Sequence, residues 1–466
     1  MIRTSLVSIF VALPLACSDP PADPPALTSA PEPAPLALRQ GADIDPAVLD
    51  ALERDQASPA GAAAAGLDLP LGEDRAPTRL PVPRVGLAST ASFRFGDGRR
   101  GWITRLPVAE QLTSVAFGGG RVYAGGGFNT YAFFAMEAES GRLLWDRNNL
   151  EDNGPTAPIY LDDEVIFNTE SCTLFVLDAR TGRTRWKRYL GDPTLAQPAV
   201  RQGLVFASYP AEGAQRLGAM RIRDGRTVWS RAVDGELISA PVVAGGAVLA
   251  TTIRGTLYRF DAASGARRWR RRLHATSAPW VADERIYIAA ARGRAEFQLA
   301  LDAATGRTVA VLRRSRARYL GDVPRDLQSW PKVWAFEGSR PLMFQGRLID
   351  TMAGEVSATS PGGERLWRRR DGARRGRRSL TAPVVAGSQV VFASRRGRVY
   401  ALDIDTGMTV WAYDVGRRLA ASPVVARGWV YLSTVDGAII ALEPGDPALD
   451  GWHMWGGGPG HNGGLG

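Results

Sequence analysis

The chain is poor in the residues that most often carry chemistry. It has two cysteines, Cys17 and Cys172, in 466 residues. Two cysteines build no disulfide framework, and neither belongs to a Cys-x-x-Cys pair or a Cys/His metal spacing. Three histidines, His274, His453 and His461, leave little material for a catalytic triad or a metal centre. Lysine is almost missing: Lys187 and Lys332 are the only two among 57 basic residues, and the rest are arginine. So one-sided a choice reads as GC-rich coding bias rather than a demand for guanidinium chemistry. No run of 18 apolar residues occurs in the body of the chain, so no membrane-spanning helix is expected there. The net charge of +10 and pI of about 10.0 favour contact with acidic surfaces such as anionic lipid head groups or nucleic acid.

What is present is a repeat. Ala401-Leu402-Asp403-Ile404-Asp405-Thr406-Gly407 running to Trp411 is its clearest copy, and weaker copies end at Trp145, Trp186, Trp229, Trp269 and Trp367. A fixed period of about 40–45 residues means one supersecondary unit used many times. Within residues 380–411 the unit reads as four short strands. These are Thr381 to Val385, Gln389 to Ala393, Arg398 to Asp403 and Thr409 to Tyr413, separated by Ala-Gly-Ser, Arg-Arg-Gly and Asp-Thr-Gly turns. Four antiparallel strands per period make the blade of a β-propeller.

Blade openings recur as Ala157-Pro158-Ile159, Ala240-Pro241-Val242, Ala278-Pro279-Trp280 and Ser422-Pro423-Val424. Proline at a strand start loses no ladder bond, which suits an inner strand lining the axis. Last strands fall around Trp102, Trp145, Trp186, Trp229, Trp269, Ala310, Trp367 and Trp411, so an all-β, eight-bladed propeller is expected. The final repeat, from Ala421 to Leu442, has three strands, and Trp102 stands near the start with no strands visible before it. Ring closure by the Trp102 strand removes the open sheet edge. A rival closure uses the tail, since Trp452 follows Trp411 by 41 residues, but its glycines make it a poor strand. The interval from Ala310 to Trp367 is stretched to 57 residues, with the excess between Arg313 and Trp334. A smaller insertion lies between Tyr209 and Leu217. Long insertions in repeats mark elaborated loops.

The amino terminus has another logic. Met1-Ile2-Arg3 precedes an apolar run from Leu6 to Ala16, short enough for a signal-peptide core. Leu15-Ala16-Cys17 resembles the lipobox of bacterial lipoproteins, with Pro14 where that family has an aliphatic residue. The resemblance implies lipidation at Cys17, and Ser18 in place of Asp implies sorting to the outer membrane. The expected organisation is a signal peptide over 1–17, a Pro/Ala-rich and mostly disordered linker over 18–80, a propeller over 81–445 and a Gly-rich tail over 446–466.

The blade pattern resembles the pyrroloquinoline quinone (PQQ)-type propeller repeat over roughly residues 100–445. In that family the turn glycine and the tryptophan four residues on form a docking motif, each indole packing on the neighbouring blade's backbone. It maps to Gly141/Trp145, Gly182/Trp186, Gly225/Trp229, Gly265/Trp269, Gly363/Trp367 and Gly407/Trp411. The family holds both outer-membrane lipoproteins that scaffold β-barrel assembly and quinoprotein alcohol dehydrogenases. The dehydrogenases use a vicinal cysteine pair, a calcium site and an aspartate base, and none of these is found here. The resemblance therefore implies a non-enzymatic, lipid-anchored envelope scaffold acting as a monomer, with protein partners, possible contact with the β-barrel assembly machinery, no cofactor and no nucleic acid. A PQQ-dependent oxidoreductase or axial small-ligand binder is the alternative, and a lineage-specific sensor or adhesion module is a third.

Other features take plainer readings. Seven arginines between Arg368 and Arg378 read as a solvated inter-blade loop, with a patch for anionic lipid as the functional alternative. Cys172 reads as a structural turn residue. Asp162, Asp163 and Glu164 read as a hairpin turn rather than a cation site.

Overall fold

A computed structural model describes residues 80, 88–109, 111–191, 196–292, 295–315, 341–352, 355–370 and 380–463. Cys17 and the linker lie outside them, as does most of the insertion after Arg313. Among the described residues every regular element is a strand, and the strands form eight sheets.

Each blade follows from local chemistry. In the fourth, Val242–Ala244, Ala247–Thr251, Thr256–Asp261 and Arg267–Arg272 pair antiparallel in sequence order. Its two inner strands are rich in apolar and β-branched residues and almost wholly buried, as strands covered on both faces by neighbouring blades require, while in its outer strand Trp269 is the buried residue among arginines. The turn between its third and fourth strands is fixed by side chains. Asp261 Oδ1 accepts from Ser264 N (3.0 Å) and Ser264 Oγ (2.8 Å), while Gly265 takes φ of 67° and donates to Asp261 O. These bonds from Ser264, with the guanidinium of Arg268, hold the Asp261 carboxyl well below the usual carboxylate range. The same Asp/Thr/Gly device recurs at Asp178/Thr181/Gly182, Asp302/Thr305/Gly306 and Asp403/Thr406/Gly407.

A bulge follows the turn in most blades. Ala135 pairs with Trp145 and Met136 with Leu143, so Leu144 is the extra residue. The same shift precedes Trp229, Trp269, Trp367 and Trp411. A bulge re-aims the side chains around it. Here the register turns the indole toward the next blade and leaves the preceding residue outside, which explains the exposed Val228, Leu366 and Val410.

The eighth sheet closes the ring. Its order is Val424–Ala426, Trp429–Ser433, Ala438–Leu442, Arg100–Arg105, Ser89–Arg94. Ile103 pairs with Ile440 and Trp102 with Ala441, so the Trp102 strand completes the blade and the tail does not. The strand Ser89–Arg94 is additional. Its half-exposed alternation carries almost no apolar signal, which is why no strand is apparent before Trp102 in the sequence. The hairpin between the two strands also seals the joint with the seventh blade. Phe95 packs on Tyr413 at 4.1 Å between ring centroids, and the Tyr413 hydroxyl accepts from Arg99 and donates to Asp97. Burial lifts that phenol to about 12, so it keeps its proton as a donor.

First strands neighbour one another between successive blades and so surround the axis. The region from Tyr209 to Leu217 is an extension of one hairpin, Leu204–Ala211 with Ala214–Arg221, turning at Glu212 and Gly213.

Candidate functional surface

The seams between blades carry the most regular geometry in the molecule. The indoles of Trp102, Trp145, Trp186, Trp229, Trp269 and Trp367 lie over Gly141, Gly182, Gly225, Gly265, Gly306 and Gly407 of the next blade. At Gly182 a Cβ would stand 2.7 Å from the Trp145 ring, so only glycine permits the contact. Each indole N–H also finds an acceptor in the same turn. Trp102 donates to Ala138 O (2.9 Å), Trp145 to Ala179 O (3.1 Å) and Trp229 to Ala262 O (2.8 Å). Trp186, Trp269 and Trp367 donate likewise to Ile222, Ala303 and Ile404.

A second clamp was not read from the sequence. Two residues after five of these tryptophans stands an arginine: Arg147, Arg188, Arg231, Arg271 and Arg369. Their guanidiniums donate to the carbonyls of Gly182, Gly225, Gly265, Thr305 and Thr406. The Trp-x-Arg spacing was visible and could have shown it. In the closing blade Thr104 and Thr90 replace the arginine, both donating to Gly141 O.

Two seams depart from the pattern. Trp411 donates to Gln389 Oε1 of its own blade, because the closing sheet has no third-to-fourth-strand turn to receive it. Among the described residues Gly363 receives no indole, since the fifth blade carries Ala310 at the tryptophan position, and no described heavy atom lies within 4 Å of where its Cβ would stand.

The tail occupies the axis. Trp452 O accepts from Val425 N, His453 O from Phe117 N, Pro459 O from Val200 N and Gly460 O from Val243 N. The Asn462 amide exchanges two bonds with the Val281 backbone (2.7 and 2.9 Å). Each of these five partners is the middle residue of an inner strand. The tail thus satisfies axis-facing N–H groups of the first, third, fourth, fifth and eighth blades. Trp452 stacks on Trp280 at 5.8 Å, and Met454 and Trp455 are buried. The glycines make the approach possible: at Gly460 a Cβ would stand 2.9 Å from Val243 O.

His461 is locked inside this strap, 3% exposed, with Nδ1 2.8 Å from Trp455 O and Nε2 2.8 Å from Pro198 O. A neutral ring donates to only one of them. Burial pulls its pKa down to about 4, against the two carbonyls, which favour the charged form. That value lies below the ~6.5 of a free histidine, so between about pH 6.5 and 4 the unfolded chain binds a proton that the folded chain does not. The stability held by neutral His461 is complete above ~6.5 and is lost as pH falls through 4, up to about 3 kcal/mol. Urea midpoints at pH 7 and 4.5 should therefore fall further for the native chain than for His461→Gln. Parallel falls would refute the assignment.

The remaining candidates take structural places. Cys172 is buried at φ of 65° in a turn. Asp162 and Asp163 form a hairpin turn at positive φ, with Asp163 held by Tyr160 and Glu164 by Arg185. Of the arginine run, Arg368 and Arg370 pair with Glu355, and Arg369 is 2% exposed. Arg374, Arg375, Arg377 and Arg378 lie outside the described residues. His453 meets Asp450, and His274 stands just after the strand Arg267–Arg272 at φ of 54°. Among the described residues no three His, Cys, Asp or Glu side chains are grouped to hold a metal ion, and no helix is long and apolar enough to cross a membrane.

Residues 89–312 and 352–455 match the model of a family described as outer membrane protein assembly factor BamB. No curated protein matches the sequence. Among solved structures, BamB from Moraxella catarrhalis is 22% identical, with 76% of this chain and 98% of that one covered at a TM-score of 0.53. A computationally designed protein, Ika8, is 17% identical over 72% of this chain and 96% of its own, at 0.58. Quinohemoprotein alcohol dehydrogenase from Comamonas testosteroni is 12% identical over 73% of this chain and 76% of its own, at 0.55. At such identities the likeness concerns the fold.

Proposed function

We propose, because this chain belongs to the family of the outer membrane protein assembly factor BamB, that it is a non-enzymatic scaffold of the bacterial envelope. In this reading a lipid on Cys17 tethers it to the outer membrane, the linker lets the body stand off the bilayer, and the propeller's loops and rims hold protein partners on the periplasmic side. The β-barrel assembly machinery is the partner the family suggests.

The observation that carries the reading is the tail. It bonds to the inner strands of five blades and stacks Trp452 against Trp280 across the axis, at the place where a propeller that works on a small ligand would keep one. The rigid rim and loops are what the molecule has left to offer. Photocrosslinking in intact cells, with probes on the loops, tests this directly: recovery of a β-barrel insertase supports the scaffold. Reduction of a dye by the purified protein on addition of the quinone and calcium would replace it with the oxidoreductase reading.

The tether has its own test. Cys17→Ala should abolish incorporation of labelled palmitate and move the protein from the membrane to the soluble envelope fraction. Unchanged labelling would place any lipid elsewhere.

A further inference from the structure

One outer strand of the ring is almost all arginine. Arg267–Arg272 reads Arg-Arg-Trp-Arg-Arg-Arg and is the last strand of the fourth blade's sheet. Trp269 is buried in the seam, and Arg271 donates to Thr305 O of the fifth blade. Arg268 pairs with Asp261 at 2.9 Å. Arg267, Arg270 and Arg272 are exposed and form no ion pair among the described residues. The chain is described without a break from residue 196 to 292, so described backbone both enters and leaves this strand. Burial, then the charges of Arg272 and Arg292, hold the His274 imidazole below its usual range, which marks how far positive charge is concentrated at this part of the rim.

We propose that this edge receives an extended, acidic segment of a partner polypeptide, added as a fifth strand to the fourth blade. The fold contains the mode once already. In the closing blade Ser89–Arg94 pairs antiparallel with the outer strand Arg100–Arg105, from Ser89 opposite Arg105 to Arg94 opposite Arg100. In the fourth blade no described strand takes that place. The outward main-chain groups of an edge strand are matched in register by another polypeptide and not by a lipid head group. Alternate residues of a strand share a face, so Arg270 and Arg272 stand side by side. Carboxylates at alternate positions of an added strand meet them as cross-strand pairs of opposite charge. The same arginines repel a second copy of this edge, so charge selects an acidic partner over self-association. The inference rests on the scaffold reading and adds the chemistry of the segment it holds.

The test uses the full chain and a fluorescein-labelled peptide, Thr-Glu-Val-Glu-Val-Glu-Thr, read by anisotropy. The peptide should bind saturably. Arg270→Glu and Arg272→Glu should each weaken it about fivefold to tenfold. Arg183→Glu and Arg226→Glu, equal in charge but placed at the turns of the second and third blades, should leave it within about twofold. All four arginines are exposed, so the variants fold. A peptide with glutamine for glutamate lacks the charge, and one N-methylated at every central residue lacks the edge donors; both should lose binding. Absence of binding, binding that survives N-methylation, or an equal fall in Arg183→Glu and Arg226→Glu overturns the proposal. Binding to phosphatidylglycerol vesicles that Arg272→Glu abolishes, with none to the peptide, overturns it in favour of a lipid surface. Crosslinking that recovers an insertase in a chain blind to the peptide would remove this docking edge and leave the scaffold. Peptide binding at Arg270 and Arg272 in a protein that captures no envelope partner would do the reverse.

Discussion

Replacing Trp102 by alanine should destabilise the propeller by about 3–5 kcal/mol, the range for removing a fully buried tryptophan. Trp102 is 1% exposed, covers Gly141 and donates to Ala138 O. The consequence exceeds that of any other indole because of where the strand comes from. Every other outer strand is joined to its own blade by a turn, whereas Arg100–Arg105 meets Ala438–Leu442 from the opposite end of the described chain. Loosening it exposes two sheet edges at once. Domains are stable by only about 5–15 kcal/mol, so the variant should melt early and aggregate. An exposed residue beside another indole, Val410→Ala, should shift stability by less than about 0.5 kcal/mol. Urea denaturation of the two variants makes the comparison, and equal midpoints would mean that the Trp102 strand is not part of the ring.

Gly182→Ala should cost about 2–5 kcal/mol, and Gly346→Ala only about 1–2 kcal/mol. Both glycines have nearly the same φ, 70° and 71°, so each pays the left-handed strain of about 1–2 kcal/mol. They differ in what a methyl group meets. At Gly182 it meets the Trp145 ring at 2.7 Å, and at Gly346 it meets nothing within 4 Å. The difference isolates the overpacking of the seam, about 1–3 kcal/mol. Gly363→Ala should behave like Gly346→Ala although its place in the repeat is that of Gly182. Equal losses at Gly182 and Gly346 would show that the indoles do not bear on the glycines.

The architecture was legible because its signal is repeated. Tryptophans recur in the last strands of the repeat, mostly 40–44 residues apart, with a turn glycine four residues before them, so no single weak copy matters. Closure by the Trp102 strand followed from counting strands in the last repeat. The parts that escaped are those said only once. Ser89–Arg94 lies at the rim, half exposed, and has no hydrophobic period to show. The tail was read as a poor strand because glycine weakens strands. The same glycines let Gly460 approach the backbone of Val243, and the tail's hydrogen bonds are spread over the inner strands of five blades rather than forming a ladder with one. The arginines two places after five of the indoles were hidden by the abundance of arginine, which made each one look like composition. That Gly363 lacks an indole among the described residues is invisible in its own repeat, since the cause sits one blade earlier at Ala310.

A disulfide across the closing pair tests the ring most directly. Arg105 and Ala438 are partners in register. In a chain whose native cysteines are replaced, Arg105→Cys with Ala438→Cys should crosslink completely under mild oxidation and raise the melting temperature. Failure of that pair, with efficient crosslinking of Ala438→Cys to a cysteine placed in the tail at Trp452 instead, would contradict closure by the amino-terminal strand and the eight-bladed account built on it.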